Sequence, residues 1–259
     1  MRHVWRKKGS FEVIVTVGPA TFEYLPEICK CGPCLFRING AHVSVKEVEE
    51  YVDWMRAHVP GAKILLDLPG NRRRFKRKGQ PVEDADHLPF LFEEDYALVD
   101  LACAHGIDIL SASFVRTVED IDLVRGLLDT AGGGDIDLFA KIETGEAVGN
   151  RDAILDRVST VNMDRGDLSS AIGLYDVPWA QREVIKSAHK KHRRVFLATC
   201  FLKSMEKGDG PTLSEIAAIS QAVQQGVTGI QLSEETAIGR QPLACVQTLF
   251  DIARLAGAK

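Results

Sequence analysis

Short runs of β-branched and aliphatic residues recur along the chain at Phe11–Val17, Leu35–Ile38, Ala62–Asp67, Ile107–Ser111, Ile136–Ala140, Val158–Met163, Val195–Thr199 and Gly229–Leu232. Each is brief and bounded by glycine, proline or charge, the pattern of strands buried on both faces. Between them lie amphipathic stretches that predict helices: Val43–His58, Glu94–His105, Val118–Thr130, Trp179–His192 and Ser214–Gln225. Thr117 ahead of Val118-Glu119-Asp120, and Thr212 followed by Glu215, supply helix start signals, the second in the form of a capping box. Strands alternating with helices predict a parallel sheet with helical crossovers. Eight such strands in a chain of this length favour a closed (β/α)₈ barrel, a TIM barrel, over an open doubly wound sheet.

A barrel of this kind carries its chemistry at the C-terminal ends of the strands. Read in order, those ends hold Arg37 and Asn39, then Asp67, Ser113, Lys141 and Glu143, Arg165-Gly166-Asp167, Thr199, and Ser233-Glu234-Glu235. Serine, threonine and aspartate cap strand ends for purely structural reasons. Lysine, glutamate, aspartate and arginine at successive ends are the clustering expected of a functional site.

Composition changes this picture little. The chain has 259 residues, 45% hydrophobic and 26% charged, so one barrel spanning 1–259 has core enough without disulfide or structural metal. A formal net charge of -4 argues against nucleic acid as a partner of the whole protein. No apolar run reaches the roughly 18 residues of a membrane span. The basic segment Met1–Ser10 lacks the apolar stretch of a secretory signal. Six cysteines without disulfide-framework spacing suit a reducing cytoplasm, the expected location.

Three local features admit two readings each. Cys31-Gly32-Pro33-Cys34, with Cys29 nearby, has the spacing of a redox dithiol. It precedes a strand instead of opening a helix, however, which favours a plain turn at the bottom of the barrel over redox or zinc chemistry. Arg72, Arg73, Arg74, Lys76, Arg77 and Lys78 form the densest charge run, either a solvated loop or a device that draws an anionic substrate to the active face. Cys200, next to Thr199, reads as a buried structural thiol in preference to a reactive one.

The ordered motifs resemble those of pyruvate kinases. They are Phe36-Arg37-Ile38-Asn39-Gly40-Ala41-His42, Ala112-Ser113-Phe114-Val115-Arg116, Ala140-Lys141-Ile142-Glu143, Arg165-Gly166-Asp167-Leu168, Leu197-Ala198-Thr199, Pro211-Thr212 with Glu215, and Leu232-Ser233 before Glu235-Thr236-Ala237. Together they cover nearly the whole chain in family order. The resemblance implies the catalytic barrel alone, of the phosphoenolpyruvate/pyruvate superfamily type. It leads one to expect a short basic loop at 75–86 in place of the family's lid domain, and no C-terminal regulatory domain.

The resemblance also implies site roles. Glu143 and Asp167 would hold Mg²⁺, or Mn²⁺ in its place. Lys141, Thr199 and Arg37 would be catalytic. Gly166, Asp167, Ser113, Asn39 and Arg74 would bind a small anionic substrate, and a homodimer would be compatible with family contacts. Backbone N–H groups at Gly166 and Asp167 would receive a substrate carboxylate if a helix begins there. Thr199, a weak base alone, would act through water or a neighbour. Some positions depart from the family pattern. Asn39 and Asp67 of its potassium site remain, but Ala41 and Leu68 replace the two hydroxyl residues, Pro69 replaces a lysine, and Glu234 replaces a glycine. These changes are expected to degrade the potassium site and the nucleotide chemistry while sparing enolate chemistry. The favoured expectation is Mg²⁺-dependent C–C bond chemistry or enolpyruvyl-type transfer on pyruvate, phosphoenolpyruvate or a related 2-oxo acid. A reduced phosphotransferase and a non-catalytic ligand-binding descendant are the alternatives.

Overall fold

A computed structural model of the chain describes residues 10–71 and 89–258. Among the described residues eight strands pair in parallel, in chain order, and the last closes onto the first. They are Glu12–Thr16 (β1), Cys34–Asn39 (β2), Lys63–Asp67 (β3), Ile109–Ala112 (β4), Asp137–Ile142 (β5), Thr160–Asp164 (β6), Arg194–Ala198 (β7) and Gly229–Leu232 (β8). The helices are Leu25–Cys31 (α1), Val45–His58 (α2), Glu93–Ala104 (α3), Val118–Thr130 (α4), Gly145–Gly149 (α5), Arg151–Arg157 (α6), Arg165–Ile172 (α7), Val177–Lys190 (α8), Leu213–Gln224 (α9), Glu234–Ala237 (α10) and Pro242–Leu255 (α11). The chain therefore folds as the expected (β/α)₈ barrel. None of the described helices is long and apolar enough to cross a membrane. Arg74, the basic run at 72–78 and the loop at 75–86 lie outside the described residues.

Start signals act as read. Thr212 caps α9 reciprocally with Glu215: the Glu215 N–H donates to Thr212 Oγ1 at 3.3 Å, and the Thr212 N–H donates to Glu215 Oε2 at 2.7 Å. Ser44 and Glu47 make the same box at α2. Strand ends shift where polar residues continue the ladder. β5 runs on through Lys141, which pairs with Asn162, and β6 includes Asp164, which pairs with Ala198.

Alternation along the strands explains where the chemistry goes. Outward residues such as Val13, Phe36, Leu66, Leu110, Leu138, Met163 and Leu197 pack under the helices in one large core. Inward residues Ile14, Leu35, Leu65, Ile109, Phe139 and Phe196 form a separate apolar plug inside the barrel. Gly229 makes room for it: a Cβ there would fall 2.6 Å from the Phe196 ring and 1.9 Å from the Glu12 carbonyl oxygen. One step further along the same inward rows the residues become polar: Thr16, Arg37, Asp67, Ser111, Lys141, Asn162 and Gln231, all buried. The Asn162 amide donates to Gln231 Oε1 at 2.7 Å across this layer. A further step reaches Asn39, Ser113, Glu143 and Asp164 at the mouth. The plug thus seats a buried polar layer, and that layer carries the mouth.

Candidate active site at the barrel mouth

Lys141 is the hub. Its ammonium lies 2.6 Å from Glu143 Oε1 and 3.4 Å from Asp67 Oδ2, with both carboxylates buried. Two residues apart on an extended segment, Lys141 and Glu143 project to the same side. Arg37 engages Asp67 Oδ2 through Nε and Nη2, both at 2.6 Å, and donates from Nη1 to Thr16 Oγ1 at 3.0 Å. Burial works against the charge of Lys141, but Glu143 and Asp67 outweigh it and hold the ammonium well above the ordinary lysine range. Burial likewise opposes ionisation of Asp67, and Arg37 with Lys141 overcomes it, keeping this carboxyl below its usual range.

Glu143 is held by a second contact. The N–H of Phe114 donates to its Oε2 at 2.7 Å, from a backbone at φ 54°. Glu143, Asp164 and Asp167 bring one carboxylate oxygen each to within 4.8 Å of one another. Burial, and the nearby charges of Asp164 and Asp167, push Glu143 up to about 7 against the pull of Lys141. A trio of hard oxygen donors, two of them buried and Asp167 open toward solvent, is the kind of cluster that fits a divalent cation such as Mg²⁺. Glu143 and Asp167, the two ligands expected from the sequence, lie in this cluster, and Asp164 joins them there.

Asp164 is also the N-cap of α7. Its Oδ1 accepts from the N–H of Gly166 at 3.0 Å and of Asp167 at 3.4 Å, and lies 3.0 Å from Thr199 Oγ1. The helix expected at this place does begin here, but the N–H groups proposed for a substrate carboxylate are already engaged. Gly166 N–H donates as well to Thr199 Oγ1 at 2.8 Å.

Thr199 itself is strained. It and Cys200 both occupy the left-handed region, at φ 64° and 58°, which is costly for a β-branched residue. Arg165 supports the turn: its guanidinium bonds the carbonyl oxygens of Thr199 and Cys200 and stacks 3.8 Å above the centre of the Phe201 ring. The same turn makes Cys200 exposed, against the expectation of a buried thiol, because a left-handed backbone swings its side chain out of the barrel. Cys31 and Cys34 lie at the opposite end, between α1 and the start of β2, as free thiols. Burial, the largest influence on each, raises both thiols above their ordinary range, opposite to an activated redox cysteine.

Arg37, Asn39, Ser113, Lys141, Glu143, Asp164, Gly166, Asp167 and Thr199 all line one cavity of about 220 Å³ at the mouth. Ser233 and Glu234 close its far side, and Glu234 is accompanied by Lys203 at 3.8 Å. A larger cavity of about 710 Å³ opens at the bottom, among strand-start residues such as Lys63, Asp137 and Arg194. There Lys63 pairs with Asp108 and Arg194 with Glu12, and among the described residues no buried lysine stands between carboxylates as at the mouth. The mouth is the better candidate.

Asp164, Thr16 and Ser111 escaped the sequence reading. The signal was present in β6, where Thr160, Asn162 and Asp164 alternate with Val161 and Met163. Ending that strand at its last apolar residue hid the carboxylate.

Fold and mouth together define a parallel (β/α)₈ barrel with an acidic, lysine-centred site at the C-terminal ends of its strands. The family model for the pyruvate kinase barrel domain matches residues 71–246, and the chain belongs to the pyruvate kinase family. It is 37% identical over 197 residues to a pyruvate kinase of Clostridium acetobutylicum, covering 76% of this chain and 42% of that protein. A pyruvate kinase of Chlamydia trachomatis is 32% identical over 220 residues, 85% of this chain and 45% of the relative. One from Thermococcus litoralis is 30% identical over 242 residues, 92% and 48% respectively. The chain thus spans less than half the length of each of these relatives.

Proposed function

We propose that the barrel mouth binds pyruvate, phosphoenolpyruvate or a related small 2-oxo acid and stabilises its enolate. The observation that carries this reading is Lys141, a buried cation set between Glu143 and Asp67 beside a trio of carboxylates. Mg²⁺ held by Glu143 and Asp167 would supply Lewis-acid stabilisation of charge on an enolate oxygen. Lys141 adds a fixed positive charge in a site shielded from water, where it needs no reorganisation as charge develops. Arg37 and Asp67 brace Lys141 from below. Thr199, held by Gly166 and facing Asp164, would exchange a proton with the carbon that becomes the enolate terminus, directly or through water. A cavity of about 220 Å³ suits a three-carbon acid.

Two reactions could follow the enolate. The replacements at Ala41, Leu68 and Pro69 favour carbon–carbon bond chemistry or enolpyruvyl-type transfer. Leu68 is buried and brings no side-chain oxygen, and Asp67 Oδ2 is already engaged by Arg37 and Lys141, which supports a weakened potassium site. The relatives' own description as pyruvate kinases favours phosphoryl transfer, with the nucleotide lying outside the cavity. Proton NMR of pyruvate with enzyme and Mg²⁺ in D₂O separates the two. Loss of the methyl signal without any phosphate compound supports the first. Loss that requires inorganic phosphate or ATP supports the second, and none under either condition contradicts an enolate site for pyruvate.

A further inference from the structure

We propose that Asp164 is a built-in competitor for the substrate's carboxylate, and that its displacement sets how tightly the mouth holds carboxylate ligands. The inference rests on the 2-oxo acid reading of the mouth and adds a specificity-determining residue to it. α7 opens directly into the cavity, and the first N–H groups of a helix have no partner within it. With the positive end of the helix dipole, such groups form a natural seat for an anion. Here the seat is filled from within the chain. Asp164, only 6% exposed, presents Oδ1 to Gly166 N–H at 3.0 Å, to Asp167 N–H at 3.4 Å and to Thr199 Oγ1 at 3.0 Å, and Thr199 Oγ1 shares the Gly166 N–H at 2.8 Å.

The fit around Gly166 is close. A Cβ at that position would lie 3.3 Å from Asp164 Oδ1 and 3.3 Å from Thr199 Oγ1. An incoming carboxylate therefore meets donors already engaged and a like charge in the same place. Glu143 and Asp167 already bring carboxylate oxygens within 4.8 Å, which sharpens the repulsion. For the ligand to take the seat, the Asp164 side chain must turn away. Selectivity follows: a ligand whose carboxylate makes contacts elsewhere in the mouth, to a cation or to Lys141, recovers what displacement costs, and a simple carboxylate does not.

Mn²⁺ affinity is measured first, by electron paramagnetic resonance, for the wild type, Asp164→Ala and Asp164→Asn. Oxalate, a planar dicarboxylate that resembles an enolate acid, is then titrated calorimetrically at saturating Mn²⁺. Asp164→Ala removes the competing carboxylate, leaving only the neutral Thr199 hydroxyl on the Gly166 N–H, and should bind oxalate at least about tenfold tighter, the equivalent of a 1.4 kcal/mol gain. Asp164→Asn, which removes the charge but leaves an oxygen to cap α7, should fall between the two. Should the alanine variant not fold, tightening in the asparagine variant alone supports the proposal and its absence overturns it. Unchanged or weaker oxalate binding with Mn²⁺ binding intact overturns the competitor role and leaves the reading of the mouth standing. Loss of Mn²⁺ binding in both variants also overturns it, by making Asp164 a ligand that the cation cannot do without. Absence of Mn²⁺-dependent oxalate binding in the wild type contradicts the functional reading itself.

Discussion

Lys141 Nζ lies 2.6 Å from Glu143 Oε1, and both side chains are buried at the mouth of the barrel. The same nitrogen lies 3.4 Å from Asp67, so one ammonium joins the polar layer below to the acidic trio above. On the proposed function a cation in this position would serve stability and charge stabilisation together, and the two roles are separable by substitution.

Lys141→Met should destabilise the fold by about 3–5 kcal/mol, because Glu143 and Asp67 lose a buried counter-charge while methionine fills the volume. Urea unfolding reads this directly. Enolisation of pyruvate should fall by on the order of 10²–10³-fold in the variant that remains folded.

Asp67 governs the acid limb of stability. Its carboxyl is held below the usual range when folded, so its contribution is fully present above the unfolded value near 3.8 and is lost as pH falls through the lower folded value. Asp67→Asn should therefore flatten the fall in thermal midpoint below about pH 4. It should also lower stability at pH 7, since Arg37 and Lys141 would then face each other without a buried anion. An unchanged acid limb in the variant would contradict the assignment.

On the proposed function, Thr199 would trade stability for chemistry. Thr199→Gly relieves a left-handed backbone at φ 64° and should raise stability by about 1 kcal/mol. The same change removes the hydroxyl and should slow methyl-proton exchange by about 10²–10⁴-fold. Thr199→Ser keeps the hydroxyl and should retain most of the exchange. Thermal melts paired with exchange rates test both halves.

Much of this was legible in the sequence because it depends on local pattern. Eight short apolar runs with helices between them determine a barrel, and the parallel register then carries Lys141, Glu143 and Asp167 to one mouth. Asp164 was harder to see because a strand ending in a polar inward residue looks shorter than it is. The left-handed turn at Thr199 and Cys200 leaves no mark on the residue types, since glycine would normally announce it. It is held instead by Arg165 and Phe201, contacts that exist only after β6 and β7 pair. Occupation of the α7 N–H groups by Asp164 likewise arises from helix geometry and not from spacing alone.

Cation binding should report on the acidic trio without catalysis. Mg²⁺ or Mn²⁺ should raise the thermal midpoint of the wild type, the upward shift expected of any ligand that binds only the folded state. Glu143→Gln and Asp167→Asn should each lose most of that shift. Retention of the full shift in both would place the cation elsewhere.

The most direct measurement is the rate of methyl-proton exchange of pyruvate in D₂O, followed by proton NMR for the wild type and Glu143→Gln across a Mg²⁺ titration. Exchange that rises with Mg²⁺ in the wild type and is abolished in Glu143→Gln is the expected result. Exchange that is independent of Mg²⁺, or that survives undiminished without the Glu143 carboxylate, would contradict an enolate site built on Lys141, Glu143 and Asp167.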